Sequence, residues 1–245
     1  MSIRITAATT ARILRQLAGD RRTIALILLV PTLLLTLLRY VMDSAPMVFD
    51  RVGLVMLGVF PFISMFLVTS VAMLRERTSG TLERMLTTPL RKLDLLLGYG
   101  IAFALAAAVQ AGLAATTSYL LLGLDTAGGP WPVGGLAVAN AVLGVAVGLL
   151  LSAFATSEFQ AVQFMPAVVL PQLLLCGLIW PREEMAGWLQ GASEAMPLTY
   201  AVEALTEVGA HASPTDTMWL DLAVVLGVAL LALVLGAATL RRRTP

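Results

Sequence analysis

The sequence predicts an all-α membrane protein: an N-terminal amphipathic surface helix, six transmembrane helices, and short outer re-entrant helices before the sixth span. Three observations carry that prediction. Of 245 residues, 58% are hydrophobic and only 13% charged, whereas a soluble domain is about 25% charged. The apolar residues gather into six runs near the length that crosses a bilayer as a helix, roughly 20 residues. If the runs cross in alternation, 13 of the 16 Lys and Arg residues fall on one side.

Residues 1–22 read as an interfacial helix. At 3.6 residues per turn, Arg4, Arg15 and Arg22 project within about 20° of one another, and Ile3, Ala7, Ile13, Leu14 and Leu17 occupy the opposite arc. Such a helix lies in the membrane surface with its arginines toward anionic headgroups. A basic leader that only enforces orientation is the alternative. Residues 23–245 form the six-span domain, with spans near Thr23–Arg39, Gly53–Leu74, Leu95–Leu122, Gly134–Phe154, Gln160–Trp180 and Trp219–Leu240. The first reads as an uncleaved span, because Asp43 stands at −3 of the small-residue site near Ala45, where a signal peptidase wants a small residue. Pro31, Pro61, Pro166 and Pro171 interrupt the backbone ladders of the first, second and fifth spans. Gly144 and Gly148 allow close helix approach, read here as packing within one subunit.

Between Pro181 and Ser213 (the outer segment, 181–213) the chain is too polar to span. Leu198, Ala201, Val202, Leu205 and Val208 recur at helical spacing. Thr199 is placed as the N-cap and Gly209 as the closing residue. Met185 and Trp188 suit the headgroup zone. The expectation is two short helices dipping back toward the outer leaflet, separated near Pro197, with an external amphipathic loop as the alternative.

Arg and Lys orient the spans. The basic residues before the first span, between the second and third, and after the sixth place both termini in the cytoplasm; only Arg39, Arg51 and Arg182 fall outside. The residues that remain offer little chemistry. Cys176 is the sole cysteine and His211 the sole histidine, so no internal disulfide and no cysteine- or histidine-rich metal site is expected. The phosphate loop needs lysine after glycine, and the one lysine, Lys92, follows Arg91. No cofactor is expected on this chain, and a net charge of +1 gives no basis for a nucleic-acid partner. With Asp221 counted among the outer acidic residues, the span interiors carry no Asp, Glu, Lys or Arg, so an ion-coupled transporter lacks its usual midplane groups. A transporter built this way needs energy from outside.

The segment 75–92 is where that energy would enter. After Thr81 as N-cap, with Glu83 in the first turn, Leu82, Met85 and Leu86 share one face, and Pro89 ends the helix. About two turns are marginal alone in water, so the segment needs a surface to pack on. A loop resting on lipid headgroups is the alternative. At these residues the sequence resembles the ABC-2 type transporter permeases, the membrane subunits of bacterial ABC exporters. Their pattern, close to E-R-x-x-G-T-L-E-x-L-x-x-x-P, is carried by Glu76, Arg77, Gly80, Thr81, Leu82, Glu83, Met85 or Leu86, and Pro89. A second stretch, Met196 to Leu205, is similar to the family's outer Pro-x-Thr-Tyr-x-x-x-Ala-Leu signature through Pro197, Thr199 and Tyr200, with Thr206 where arginine often follows.

The resemblance implies a permease in a bacterial inner membrane, with no ATPase site of its own, closest in type to drug-resistance and nodulation exporters. It implies two six-span subunits meeting around the first and fifth spans, here a homodimer, with two ABC ATPase subunits below that hold ATP and Mg. It makes 75–92 the coupling helix. For the translocation path, Phe60, Phe62, Phe66, Phe164 and Gln172 are the candidates, with core packing explaining the phenylalanines equally well. The expected solute is a drug or an amphipathic, lipid-like molecule; a polysaccharide or lipooligosaccharide is second. An ion-coupled secondary transporter and a non-transporting assembly subunit stand as readings from other classes.

Overall fold

Hydrophobic runs that must satisfy every backbone group inside a bilayer become helices, and so it is here. The structure, a computed structural model, describes residues 3–81 and 92–239. In chain order these are α1 (Ile3–Gly19), α2 (Arg21–Val41), α3 (Pro46–Thr78), α4 (Lys92–Leu120), α5 (Pro130–Leu151), α6 (Glu158–Leu175), a 3₁₀ turn (Arg182–Glu184), α7 (Gly187–Glu194), α8 (Pro197–Ala210) and α9 (Asp216–Thr239). No strand occurs among the described residues. Six helices, α2 to α6 and α9, are long and apolar enough to cross a membrane, and the chain is a multi-pass membrane protein.

The α3–α5 pair is the centre of the bundle. α5 presents Gly144 and Gly148 to the backbone of α3. A Cβ on Gly148 would stand 2.5 Å from the Phe66 carbonyl oxygen, and one on Gly144 would overlap the Phe62 carbonyl. Absent side chains bring the helix backbones together, and dispersion between them holds the pair where lipid offers no hydrophobic drive. α9 closes the bundle against α5 and α8, while α2 and α6 are the least buried spans. α3 has 33 residues, about 50 Å of helix against roughly 30 Å of hydrocarbon, so it projects beyond the bilayer. Each of α2, α3 and α6 continues through its prolines.

The helix boundaries depart from expectation where side chains intervene. The fifth span ends at Leu175, not Trp180, because Gly177 turns the chain at φ +86°. Asp221 is not an outer-loop residue: α9 starts at Asp216, so Asp221 lies inside the helix at 3% exposure. α1 stops at Gly19, and Asp20 begins α2 by accepting from the Thr23 amide at 3.1 Å and the Thr23 hydroxyl at 2.6 Å. Those two bonds hold the Asp20 carboxyl below the usual carboxylate range.

α1 keeps Arg4 and Arg15 on its exposed side, and Arg22, exposed too, belongs to α2. Its buried face differs from the apolar arc read from sequence: Thr6, Thr9, Thr10 and Ile13 seat on α4, and the Thr10 hydroxyl donates to the Gly98 carbonyl at 3.2 Å. Ile3 and Ala7 are exposed, and Arg12 turns inward. At the other end of the bundle α8 buries all of Leu198, Ala201, Val202, Leu205 and Val208. Trp131, Trp180, Trp188 and Trp219 are exposed around that same end, the position of an interfacial aromatic belt. Gly209 does not close α8; it sits in the last turn, against Leu54.

Candidate functional site

Three consecutive side chains at the inner end of α3 reach different neighbours, because each residue turns the helix face by about 100°. Arg75 donates from Nε and Nη2 to the two carboxylate oxygens of Glu158 at 2.8 and 3.0 Å, tying α3 to the start of α6. Glu76 receives Arg12 of α1 at 3.2 Å, and Arg12 also donates to the Tyr99 hydroxyl of α4 at 3.2 Å. Arg77 donates to the Ser152 carbonyl at the end of α5. The last turn of α3 is therefore clamped to α1, α4, α5 and α6. Glu76 is mostly buried, and its Oε2 has no hydrogen-bond partner among the described residues. An unpartnered buried polar atom costs about 1–3 kcal/mol, more when charged.

Beyond Thr78, Ser79 caps the helix and Gly80 takes φ +71°. That is the left-handed step with which many helices end, and it suits glycine. The Ser79 and Thr81 hydroxyls share a hydrogen bond of 2.9 Å. Of the coupling residues read from sequence, Glu76 and Arg77 thus belong to the clamp itself, and Gly80 and Thr81 directly follow it. Leu82, Glu83, Met85, Leu86 and Pro89 lie outside the described residues, as does the helix expected there.

A cavity of about 940 Å³ opens beside the clamp, between α1, α2, α3 and α4. Ligand sites typically measure 300–1,000 Å³. Its walls are largely aliphatic, with Tyr99 and Phe103 among them, and its inner end is polar, with Asp20, Arg75, Glu76, Ser79 and Thr81. None of the proposed path residues lines it. Phe62 and Phe66 are fully buried in α3, whose Phe62 and Phe66 backbone receives Gly144 and Gly148. Phe60 packs toward the outer cluster, and Phe164 packs with Leu74, Ala155 and Ala161 at the inner end. The four rings do not come together along one path. Gln172 is occupied elsewhere: its Oε1 accepts from the Leu198 amide at 3.2 Å, an otherwise orphaned donor at the start of α8.

The outer motif is a helix–helix joint. Pro197 is the first residue of α8, where the missing N–H costs nothing. Thr199 does not cap α8. Fully buried, it sends its hydroxyl back to the Ser193 carbonyl at 2.8 Å, and Tyr200 donates to the Glu194 carbonyl at 2.8 Å. Two of the last carbonyls of α7 are thereby satisfied by the helix that follows. Arg182 adds a brace, donating to the Ser193 hydroxyl and to Glu203, both at 3.1 Å. Nearby, burial pushes the Cys176 thiol up, away from the reactive thiolate.

Sequence reading missed the cavity and the inward role of Arg12. The cavity has a signal: Ser64, Leu67, Val68, Val71, Ala72, Arg75 and Glu76 follow one helical stripe, polar at both ends. Arg12 has one as well, lying about 60–80° from the direction shared by Arg4, Arg15 and Arg22.

Six spans, a clamped end of α3 and a helical cap at the opposite end of the bundle define a multi-pass membrane protein of the permease type. The family model for the ABC-2 type transporter matches residues 5–208, from α1 through most of α8, and the chain belongs to that family. A probable multidrug ABC transporter permease, YbhR, of Escherichia coli K12 is 27% identical over 163 residues, 64% of this chain and 43% of the relative. The linearmycin resistance permease protein LnrN of Bacillus subtilis is 26% identical over 146 residues, 59% of this chain and 38% of the relative. ABC transporter G family member 20 of Dictyostelium discoideum is 24% identical over 141 residues, 58% of this chain and 19% of the relative. The matches thus span less than half the length of these relatives.

Proposed function

We propose that this chain is the permease subunit of an ABC exporter. It moves a hydrophobic or amphipathic solute, drug-like or lipid-like, out of the cytoplasm or inner leaflet with ATP hydrolysed by a separate subunit. The observation that carries the reading is the clamp at the end of α3. Glu76 and Arg77, which begin the family's coupling pattern, are part of a helix end fastened to four others, and Gly80 and Thr81 follow it, so a push there is shared by the whole bundle. The names of the multidrug and linearmycin-resistance relatives support a drug-like solute.

In this reading two ATPase subunits, holding ATP and Mg, dock under the coupling segment and close on ATP binding. Two copies of the permease meet through α2 and α6, the spans with most surface left to cover. The protein sits in a bacterial inner membrane with both termini cytoplasmic; α1 rests on anionic headgroups and the tryptophan-bearing end faces outward. The test is transport into proteoliposomes with and without the cognate ATPase, across a panel of drugs and lipids. Uptake that needs both the ATPase and ATP supports the proposal; uptake by the permease alone rejects it.

A further inference from the structure

The cavity beside the clamp has a shape the exporter reading does not specify. Its α3 wall is one stripe: Ser64, Leu67, Val68, Val71, Ala72, then Glu76. Twelve residues separate the ends, about 18 Å at 1.5 Å per residue. Thr23, Leu26, Ile27 and Val30 of α2 form the facing stripe. The space is a slot within one subunit, apolar along most of its length, with Tyr99 and Phe103 of α4 on its wall. At the deep end Ser64 accepts from the Gln110 side-chain amide at 3.1 Å. At the inner end stand two carboxylates, Asp20 and Glu76.

Charge at that inner end decides what fits. Arg75 also lines the slot, but its Nε and Nη2 are both engaged by Glu158. Arg12 is paired with Oε1 of Glu76 and with Tyr99 and does not line the slot. Oε2 of Glu76 is sealed from water without a hydrogen-bond partner among the described residues, on a side chain 10% exposed. The unmet need is a cationic donor carried on an apolar body.

We propose that the slot binds a cationic amphiphile, its ammonium head against Glu76 and Asp20 and its apolar body between the α2 and α3 stripes. An anionic amphiphile would face two carboxylates, and a neutral one would bring them no counter-charge. This rests on the exporter reading only for its purpose, as the solute to be moved; the binding is a property of the permease alone.

The test uses the full chain in phosphatidylcholine nanodiscs, without ATPase or ATP. The probe is an environment-sensitive fluorophore on a long-chain tertiary amine, and its control is the same molecule with the amine converted to an uncharged amide. The amine should bind saturably, one per chain, at least tenfold tighter than the amide. Glu76→Gln should weaken the amine about tenfold and leave the amide unchanged. Val68→Trp, which fills the slot without touching the ion pair, should abolish both. Equal binding of amine and amide, or amine binding unaffected by Val68→Trp, overturns the proposal even if Glu76→Gln fails to fold. Full displacement of the amine by phosphatidylethanolamine in the nanodisc reassigns the slot to a lipid headgroup and also overturns it. Binding here without export by the assembled transporter would refute the exporter reading and leave the slot standing. Export of other solutes without amine binding would do the reverse.

Discussion

Replacing Gly144 by alanine tests the contact on which the bundle is built. The added methyl group meets the carbonyl oxygen, carbonyl carbon and Cα of Phe62, all backbone atoms. No side-chain rotation relieves the overlap, so α3 and α5 must move apart, and the neighbouring Gly148 contact loosens with them. Overpacking of this kind costs about 1–3 kcal/mol. Alanine in a helix interior returns about 0.5–1 kcal/mol relative to glycine. Gly112→Ala in α4 isolates that gain, because nothing lies within 4 Å of the position. The gain is common to both variants, so their difference is the overpacking cost, about 1–3 kcal/mol. At roughly 2–4 °C per kcal/mol for a protein of this size, Gly144→Ala should melt about 2–12 °C below Gly112→Ala. Thermal unfolding of both purified variants in one detergent, followed by tryptophan fluorescence and by circular dichroism, reads the difference. Equal melting temperatures would show that α3 and α5 are not in backbone contact and would remove the basis for treating them as one unit.

Three further outcomes are expected. Leu82→Ser with Leu86→Ser should leave the permease inserted and folded but release the ATPase: two aliphatic side chains withdrawn from a groove cost about 3–6 kcal/mol if fully buried there, some two to four decades of affinity, and undiminished co-purification would remove 82–91 as the coupling element. Thr199→Val leaves the buried Ser193 carbonyl without this donor and should destabilise by about 1–3 kcal/mol, whereas Tyr200→Phe, at an exposed bond, should cost less than about 1 kcal/mol in the same unfolding assay. In a Cys176→Ser background, an impermeant thiol reagent added to intact cells should label a cysteine at Gly129 and spare those at Ser2 and Thr244; labelling of either terminus contradicts the orientation.

The fold was legible because lipid removes the ambiguity of a short apolar run: around twenty such residues cross as a helix or not at all. Hence the spans matched to within a few residues, save where Gly177 cut the fifth short. The short outer helix, α8, was equally legible, since its five apolar positions keep a 3.6-residue period. What failed to show was polar burial. Thr6, Thr9 and Thr10 are polar by type, yet a threonine hydroxyl bonded to a carbonyl four residues back presents little but its methyl group to a neighbour. Glu76 and Asp221 read as residues beyond the membrane, and burial of a charge depends on partners distant in sequence. Arg12 lies 64 residues from Glu76 and 87 from Tyr99, a juxtaposition no local pattern encodes. The proposed aromatic path drew on residue type alone, and type does not say whether a ring faces a void or a neighbouring helix.

The length of α3 has a mechanical consequence. Its outer half is gripped by α8, where Leu54 meets Gly209 and Gly58 meets Leu205, and its inner tip is gripped by the clamp. Pro61 stands between, 17 residues above Thr78, about 25 Å along the axis. Proline is the usual place for a long helix to bend. A bend of only 5° there carries the inner tip about 2 Å sideways, close to the radius of the helix backbone itself. α3 is in this sense a lever with its fulcrum inside the membrane: small angles at Pro61 correspond to strides at its far tip.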